Sequence, residues 1–315
     1  MATTTTLLPS LPPPTGRAGL RGAITSEFTK IRSVRSTYWT LAALLVVSIG
    51  IGAAITGGSA ANFSHNPGNK AGFDATMISL VAFFEIGQLI IAVIAALAIT
   101  SEYSTGMIRT SLTAQPRRGR VYAAKAIVIT SLALIVSLVT SFIAFFVGQA
   151  LLSSSGVSAS LFHSVTIPQN ANVTCLQQAV GGGGPPPGCK VAFSGTDVIS
   201  PTTVLLAIIG CALFVTLVAI IAFGIGAMVR HTAGAIAIAI AALFIIPVVE
   251  QALPNQWRWD IMRFLPDAAN QVVSVTIGNN APAHLWSAWP QLGVTALWAA
   301  ALLAAGAYLF RKRDA

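Results

Sequence analysis

Six stretches of this chain stay apolar for about twenty residues or more: 38–57, 75–99, 124–152, 201–229, 232–252 and 289–310. No other feature constrains the fold as strongly. A helix crosses a hydrocarbon core of roughly 30 Å with about 20 residues. The runs are continuously apolar rather than alternating, which predicts helices and not barrel strands. Only 9% of the residues are charged and 55% are hydrophobic, whereas a soluble domain carries about 25% charged residues. The predicted fold is an all-α integral membrane protein with six transmembrane helices.

Charge distribution orients these spans. The net charge is +9, which in a soluble protein would suggest a nucleic-acid partner. Here 14 of the 18 Lys and Arg fall before the first span, between spans two and three or at the very start of span three (Lys125), between spans four and five, and after the last. Lys70, Lys190, Arg258 and Arg263 fall on the other side. By the positive-inside rule both termini are expected to be cytoplasmic, and no nucleic acid is needed to explain the basicity. The Thr/Pro-rich start lacks the continuous apolar core of a signal peptide. Residues 1–22 are expected to form a disordered cytoplasmic tail, and 23–315 the transmembrane domain.

The segment GAITSEFTKIRSVRSTYW sets Ile24, Phe28, Ile31 and Val34 at offsets of 4, 3 and 3. That spacing gives one apolar face on a helix, flanked by Lys30, Arg32 and Arg35. It predicts an N-terminal amphipathic helix in the membrane interface, attracted to anionic lipid. The alternative is a cationic flank that only sets topology.

Two outer segments are long, 153–200 and 253–288. The first holds Cys175 and Cys189, on a side where disulfides persist, and a bridge between them is expected. Closing a loop of about 15 residues contributes roughly 3 kcal/mol in the entropy model. Cys211 lies in the fourth span and reads as a small packing residue. The run VGGGGPPPGCK is not a phosphate-binding loop: after Gly183 and Gly188 comes Cys189, where Lys is required. The second outer segment mixes Trp257, Trp259, Met262 and Phe264 with charges. It reads either as short helices dipping into the interface or as a folded cap. No HExxH, GxSxG or His/Cys ligand cluster occurs, and His65, His163, His231 and His284 are scattered over both sides, so no catalytic residue and no metal site are expected.

Two acids fall within the spans: Glu250, near the outer end of the fifth after Pro247, which should kink that span, reads as interfacial, and Glu85 is the exception. It lies about ten residues into the second span, near mid-membrane, with Gln88 one turn on. A carboxylate there is costly and should face the bundle interior or water. It is either a substrate-path or proton-linked group, or a hydrogen-bonded structural residue at a helix contact.

Residues 99–120, ITSEYSTGMIRTSLTAQPRRGR, interrupt the apolar texture. Arg117, Arg118 and Arg120 suffice as anchors for the third span. The inner part, YSTGMIRTSL, predicts a short helix along the membrane, with Ser104 and Thr105 as cap-like residues before Met107, Ile108 and Leu112. A passive anchor has no need of such a helix, which favours a docking surface.

On SEFTKIRSVRSTYWTL (26–41), ALAITSEYSTGMIRTSL (96–112), PRRGRVYAAK (116–125) and a last span ending FRKRD, the chain resembles the type-2 family of ABC transporter permease subunits, the export permeases found in actinobacteria above all. The resemblance implies a permease domain over 23–315 that works as a homo- or heterodimer in a bacterial plasma membrane. Each protomer would dock on a cassette ATPase subunit that holds the ATP and Mg, leaving no cofactor in this chain. By that carry-over Glu102, Tyr103, Gly106, Met107, Ile108, Arg109 and Leu112 meet the ATPase. Residues 24–37 become the connecting helix at the lipid interface, and 253–288 an outer gate. The expected activity is outward movement of a hydrophobic or amphipathic substrate by alternating access. The rivals are an ion-gradient-driven secondary transporter or channel using Glu85, and a membrane enzyme or scaffold.

Overall fold

The computed structural model describes residues 19–65, 73–114, 117–168, 196–245 and 287–312, together with 248–249, 252, 254, 261 and 263–266. It is all-helical apart from one short ribbon. Helix α1 (Leu20–Ser33) passes through the extended residue Val34 into α2 (Arg35–His65). The second span is α3 (Ala75–Ala82), a π turn (Phe83–Gly87) and α4 (Gln88–Ser104) in unbroken succession. A short α5 (Met107–Ala114) precedes α6 (Arg118–Leu152). Strands β1 (Val165–Pro168) and β2 (Thr196–Ile199) pair antiparallel. Then come α7 (Pro201–Val229), α8 (Thr232–Ile240) continued by a π turn (Ala241–Ile245), and α9 (Ala288–Lys312).

Five helical segments are long and apolar enough to cross a membrane: Arg35–Phe63, Ala75–Ser104, Arg118–Ser155, Pro201–Val229 and Ala288–Lys312. The chain is a multi-pass membrane protein. The run expected as a further span at 232–252 is described as an apolar helix only over Thr232–Ile245. Pro247 and Glu250 lie outside the described residues, as do Cys175, Cys189 and most of 253–288. The β ribbon, which periodicity did not suggest, brings Pro168 opposite Thr196.

Helix starts follow from local chemistry. Asp74 accepts hydrogen bonds from the backbone N–H groups of Thr76 and Met77 and so caps α3. Ser200 accepts from Thr203 N ahead of Pro201, whose missing N–H costs nothing in the first turn. The turn from α7 to α8 passes through Arg230, which holds φ 60.

The centre of the bundle is α7, packed by α4, α6, α8 and α9. Close approach depends on small residues, as is usual where lipid supplies no hydrophobic drive for association. A side chain at Gly224 would meet the Leu302 backbone at 2.8 Å, so α7 and α9 cross almost backbone to backbone. In α2 the buried positions Leu44, Ser48, Gly52 and Thr56 recur every fourth residue, and this mostly small stripe packs on the second span and α6.

At the end of the bundle opposite the arginines, Gln149 Nε2 donates to Ala75 O and Ser79 Oγ, both at 3.0 Å, and Gln149 Oε1 accepts from Ala159 N. This ties α6 to the start of the second span. Helix α1 leaves part of its apolar face open and packs on another. Its buried positions are Ala23 and Glu27, with Ile31 partly buried beside them, whereas Phe28 is 57% exposed. The packed face is centred on a charge.

Candidate functional site

The Lys/Arg-rich end of the bundle gathers α1, the end of α4, α5 and the start of α6. Helix α4 stops where Thr105 N donates back to Ser101 O, and Gly106 at φ 72 reverses the chain into α5. That left-handed conformation favours glycine. In α5, Ile108 is buried, Ser111 and Leu112 are half-buried, and Met107, Thr110 and Thr113 are exposed. The side chain of Arg109 lies outside the described residues, although its backbone is helical.

Four charges from three helices interlock beneath α5. Lys125 Nζ donates to Glu27 Oε2 at 2.5 Å and to Glu102 Oε1 at 2.8 Å. Lys30 Nζ donates to Glu27 Oε1 at 2.7 Å, to Glu102 Oε1 at 3.0 Å and to Ser111 Oγ at 3.1 Å. Each ammonium therefore bridges both carboxylates. The side chains of Lys125, Glu27 and Glu102 are 6%, 8% and 8% exposed, while Lys30 keeps 31%.

Two positive and two negative charges cancel, and that cancellation makes their burial tolerable; any one of them alone would be strongly unfavourable. Burial alone would raise the Glu27 carboxyl, but Lys125 and Lys30 outweigh it and hold the group below the usual carboxylate range. Burial alone would lower the Lys30 ammonium, but its bonds to Glu27 and Glu102 hold it above the usual range. Glu102 Oε2 stays buried with no hydrogen bond.

An aromatic seam adjoins the quartet. Tyr103 meets Phe310 edge-on with centroids 6.4 Å apart, and the Arg230 guanidinium lies 5.0 Å from the Tyr103 ring centre. Tyr122 packs between Phe223 and Phe310 and donates to Leu303 O at 2.9 Å. Arg230 Nη2 donates to Leu309 O. The α7–α8 turn and the end of α9 are thus fastened to the same short segment.

The seven residues carried over by resemblance therefore divide. Glu102 and Ile108 point inward, Tyr103 is half-buried in the seam, Leu112 is half-buried, and Gly106 and Met107 are open. Glu85 and Gln88 are not part of this cluster, being 17 and 14 residues up the same span. Nor do those two share an environment: Glu85 is exposed and Gln88 buried. Cys175 and Cys189 lie outside the described residues. Sequence reasoning missed the roles of Glu27, Lys30 and Lys125. The available signal was Lys125 inside the apolar run VYAAKAIVIT, on a side of the chain with only three acids, Glu27, Glu102 and Asp314.

Residues 23–178 match the family model of the ABC-2 family transporter protein. The chain carries an ABC-2 membrane permease domain over those residues, and that family is one of non-catalytic transport subunits. The match contains the whole quartet, α5 and Glu85. This family binds nucleotide on an ATPase partner. No curated protein matches the chain significantly.

Proposed function

We propose that the chain is the membrane permease of an ATP-driven exporter, with six spans, cytoplasmic termini and a dimeric assembly. A hydrophobic or amphipathic substrate is moved outward by alternating access, driven by a separate cassette ATPase docked on 104–113. The observation behind this reading is the two-sidedness of α5. Its open face offers Met107, Thr110 and Thr113. Its inner face inserts Ile108 and joins the quartet through Ser111. Partner motion applied to such a helix reaches α1, α4 and α6 together, and the permease supplies differential contacts in two states rather than chemistry.

The test is copurification with the cassette ATPase encoded beside the gene, and stimulation of its ATP hydrolysis. Met107→Asp and deletion of 104–112 are expected to abolish both. A complex that survives both changes with full stimulation overturns the reading. The exposed mid-span Glu85 favours one rival, an ion-gradient-driven transporter, which requires transport that persists when α5 is disrupted and fails in Glu85→Gln.

A further inference from the structure

Arg311, one residue before the end of α9, is exposed yet held against another helix. A side chain begun at Gly119, in the first turn of α6, would meet the Arg311 guanidinium at 2.8–3.1 Å. The guanidinium thus lies against the α6 backbone in a slot that a glycine leaves open. Arg311 is 23 residues along α9 from Ala288 (288 to 311), roughly 34 Å of helix. A hydrocarbon core is roughly 30 Å thick, so the slot stands at the level of lipid headgroups.

Positive charge gathers there beyond what the chain offsets. Arg118 and Arg120 flank Gly119, the exposed Arg117 precedes them, and Lys312 and Arg313 follow Arg311. Glu27 and Glu102 are committed to Lys30 and Lys125. Of the three acids at this end, that leaves Asp314 for these six cations. Among the described residues Arg311 forms no hydrogen bond or ion pair. Laying a further guanidinium on a turn that already carries like charge is unfavourable unless an anion joins them. Arg118 and Arg120 keep contacts of their own and enter here only through their charge.

The open stripe of α9 leads to the same place. Leu297, Ala301, Ala304 and Tyr308 are exposed at intervals of four, three and four. Lys312 Nζ donates to Tyr308 Oη at 3.3 Å, at the end of that stripe. The two alanines leave a shallow strip along which an acyl chain can lie, with the cations where its phosphate falls.

We propose that the notch between the start of α6 and the end of α9 binds the phosphate of an anionic phospholipid, with Arg311 as its main ligand. The guanidinium fork fits phosphate oxygens in pairs, and cations at this depth attract anionic headgroups. This goes beyond the exporter reading and holds whether or not an ATPase docks on α5.

The experiment titrates the full chain in detergent micelles with phosphatidylglycerol and with zwitterionic phosphatidylcholine, and counts retained lipid by native mass spectrometry. Arg311→Gln is expected to weaken phosphatidylglycerol binding about fivefold and to leave phosphatidylcholine unchanged. Arg311→Lys, which retains the charge, is expected to stay within about twofold of the unmodified protein. Gly119→Leu fills the slot without changing charge and is expected to weaken phosphatidylglycerol about fivefold. Arg32→Gln, which removes an exposed cation from α1, is expected to change binding by less than about twofold. Equal losses in Arg32→Gln and Arg311→Gln mean a diffuse basic surface and overturn the proposal. Undiminished phosphatidylglycerol binding in Arg311→Gln overturns it too, and an ATPase complex lost in that variant assigns the notch to an acidic surface of the partner. Displacement of the lipid by an equal concentration of glycerol 3-phosphate assigns it to free phosphate and likewise overturns it. The Arg311 pair decides the outcome even where Gly119→Leu does not fold.

Discussion

Two polar clusters lie along the second span, roughly 25 Å apart from Glu102 to Glu85, and they are satisfied in opposite ways. At the Lys/Arg-rich end four charges, three of them buried, cancel through hydrogen bonds that two ammonium groups donate, five in all and one of them to Ser111. At mid-span three buried polar atoms have no partner and a carboxylate is exposed. A cluster that closes on itself has little left to offer a ligand and serves to hold elements together. Buried polar atoms without a bond cost stability. One span therefore carries a fastening at one end and, near its middle, a level at which Ser48, Gln88 and Ser137 keep unbonded polar atoms.

Four measurements put this contrast to the test. The largest effect is expected from Lys125→Met, which leaves Glu27 and Glu102 buried with one ammonium between them. Removing one member of a buried ion cluster costs about 3–5 kcal/mol, read as a lower Tm in detergent; a loss under about 1 kcal/mol would mean the quartet is no fastening. Next, exchanging charges in the double variant Glu27→Lys with Lys125→Glu is expected to recover about 2 kcal/mol relative to the sum of the single changes. Strict additivity would show that these two groups are not coupled.

A third effect depends on pH. Glu27 is held below its ordinary range, so its contribution is full above the unfolded carboxyl value of about 4.3 and is lost as pH falls through the lowered folded value. Lys30 is held above its range, so its contribution is full below about 10.4 and is lost as pH rises through the raised value. Tm is therefore expected to owe nothing to the titration of Glu27 or Lys30 between about pH 5 and 10. A fall between pH 6 and 8 that Lys125→Met abolishes would contradict this.

The smallest effects belong to the mid-span layer. Gln88→Leu and Ser137→Ala are expected to leave stability unchanged or to raise it by up to about 1 kcal/mol, because each removes an unbonded buried polar group. A loss above about 1 kcal/mol in either would show that these atoms are bonded after all, and the contrast would fail.

What could be read from the sequence follows the range of the forces involved. Hydropathy summed over twenty residues is local, and five of the six apolar runs emerge as long helices. The short helix after Gly106 was legible too, from Met107, Ile108 and Leu112 in a polar strip, although Ser104 and Thr105 do not cap it: both hydroxyls donate back to Ser101 O. The quartet was not. Lys30 meets Glu102 across 72 positions and Lys125 meets Glu27 across 98, so charge counting absorbs both lysines into an orientation signal. Helix α1 shows the same limit: periodicity marks the apolar face that holds the exposed Phe28, but not that the face packed on the bundle is centred on Glu27. Glu85 was legible as anomalous, because a lone acid in an apolar run stands out. Its separation from Gln88 was not, since a regular helix places the two one turn apart and the π turn is invisible to composition.

The length of α6 has a mechanical consequence. Its 35 residues span about 52 Å, far beyond a hydrocarbon core of about 30 Å. Lys125 grips the quartet near one end, and Gln149, 24 residues on, grips Ala75 and Ser79 at the other. A stiff rod fastened near both tips ties the two ends of the bundle to one element, so the charged end and the start of the second span are joined through α6 as well as along the second span itself.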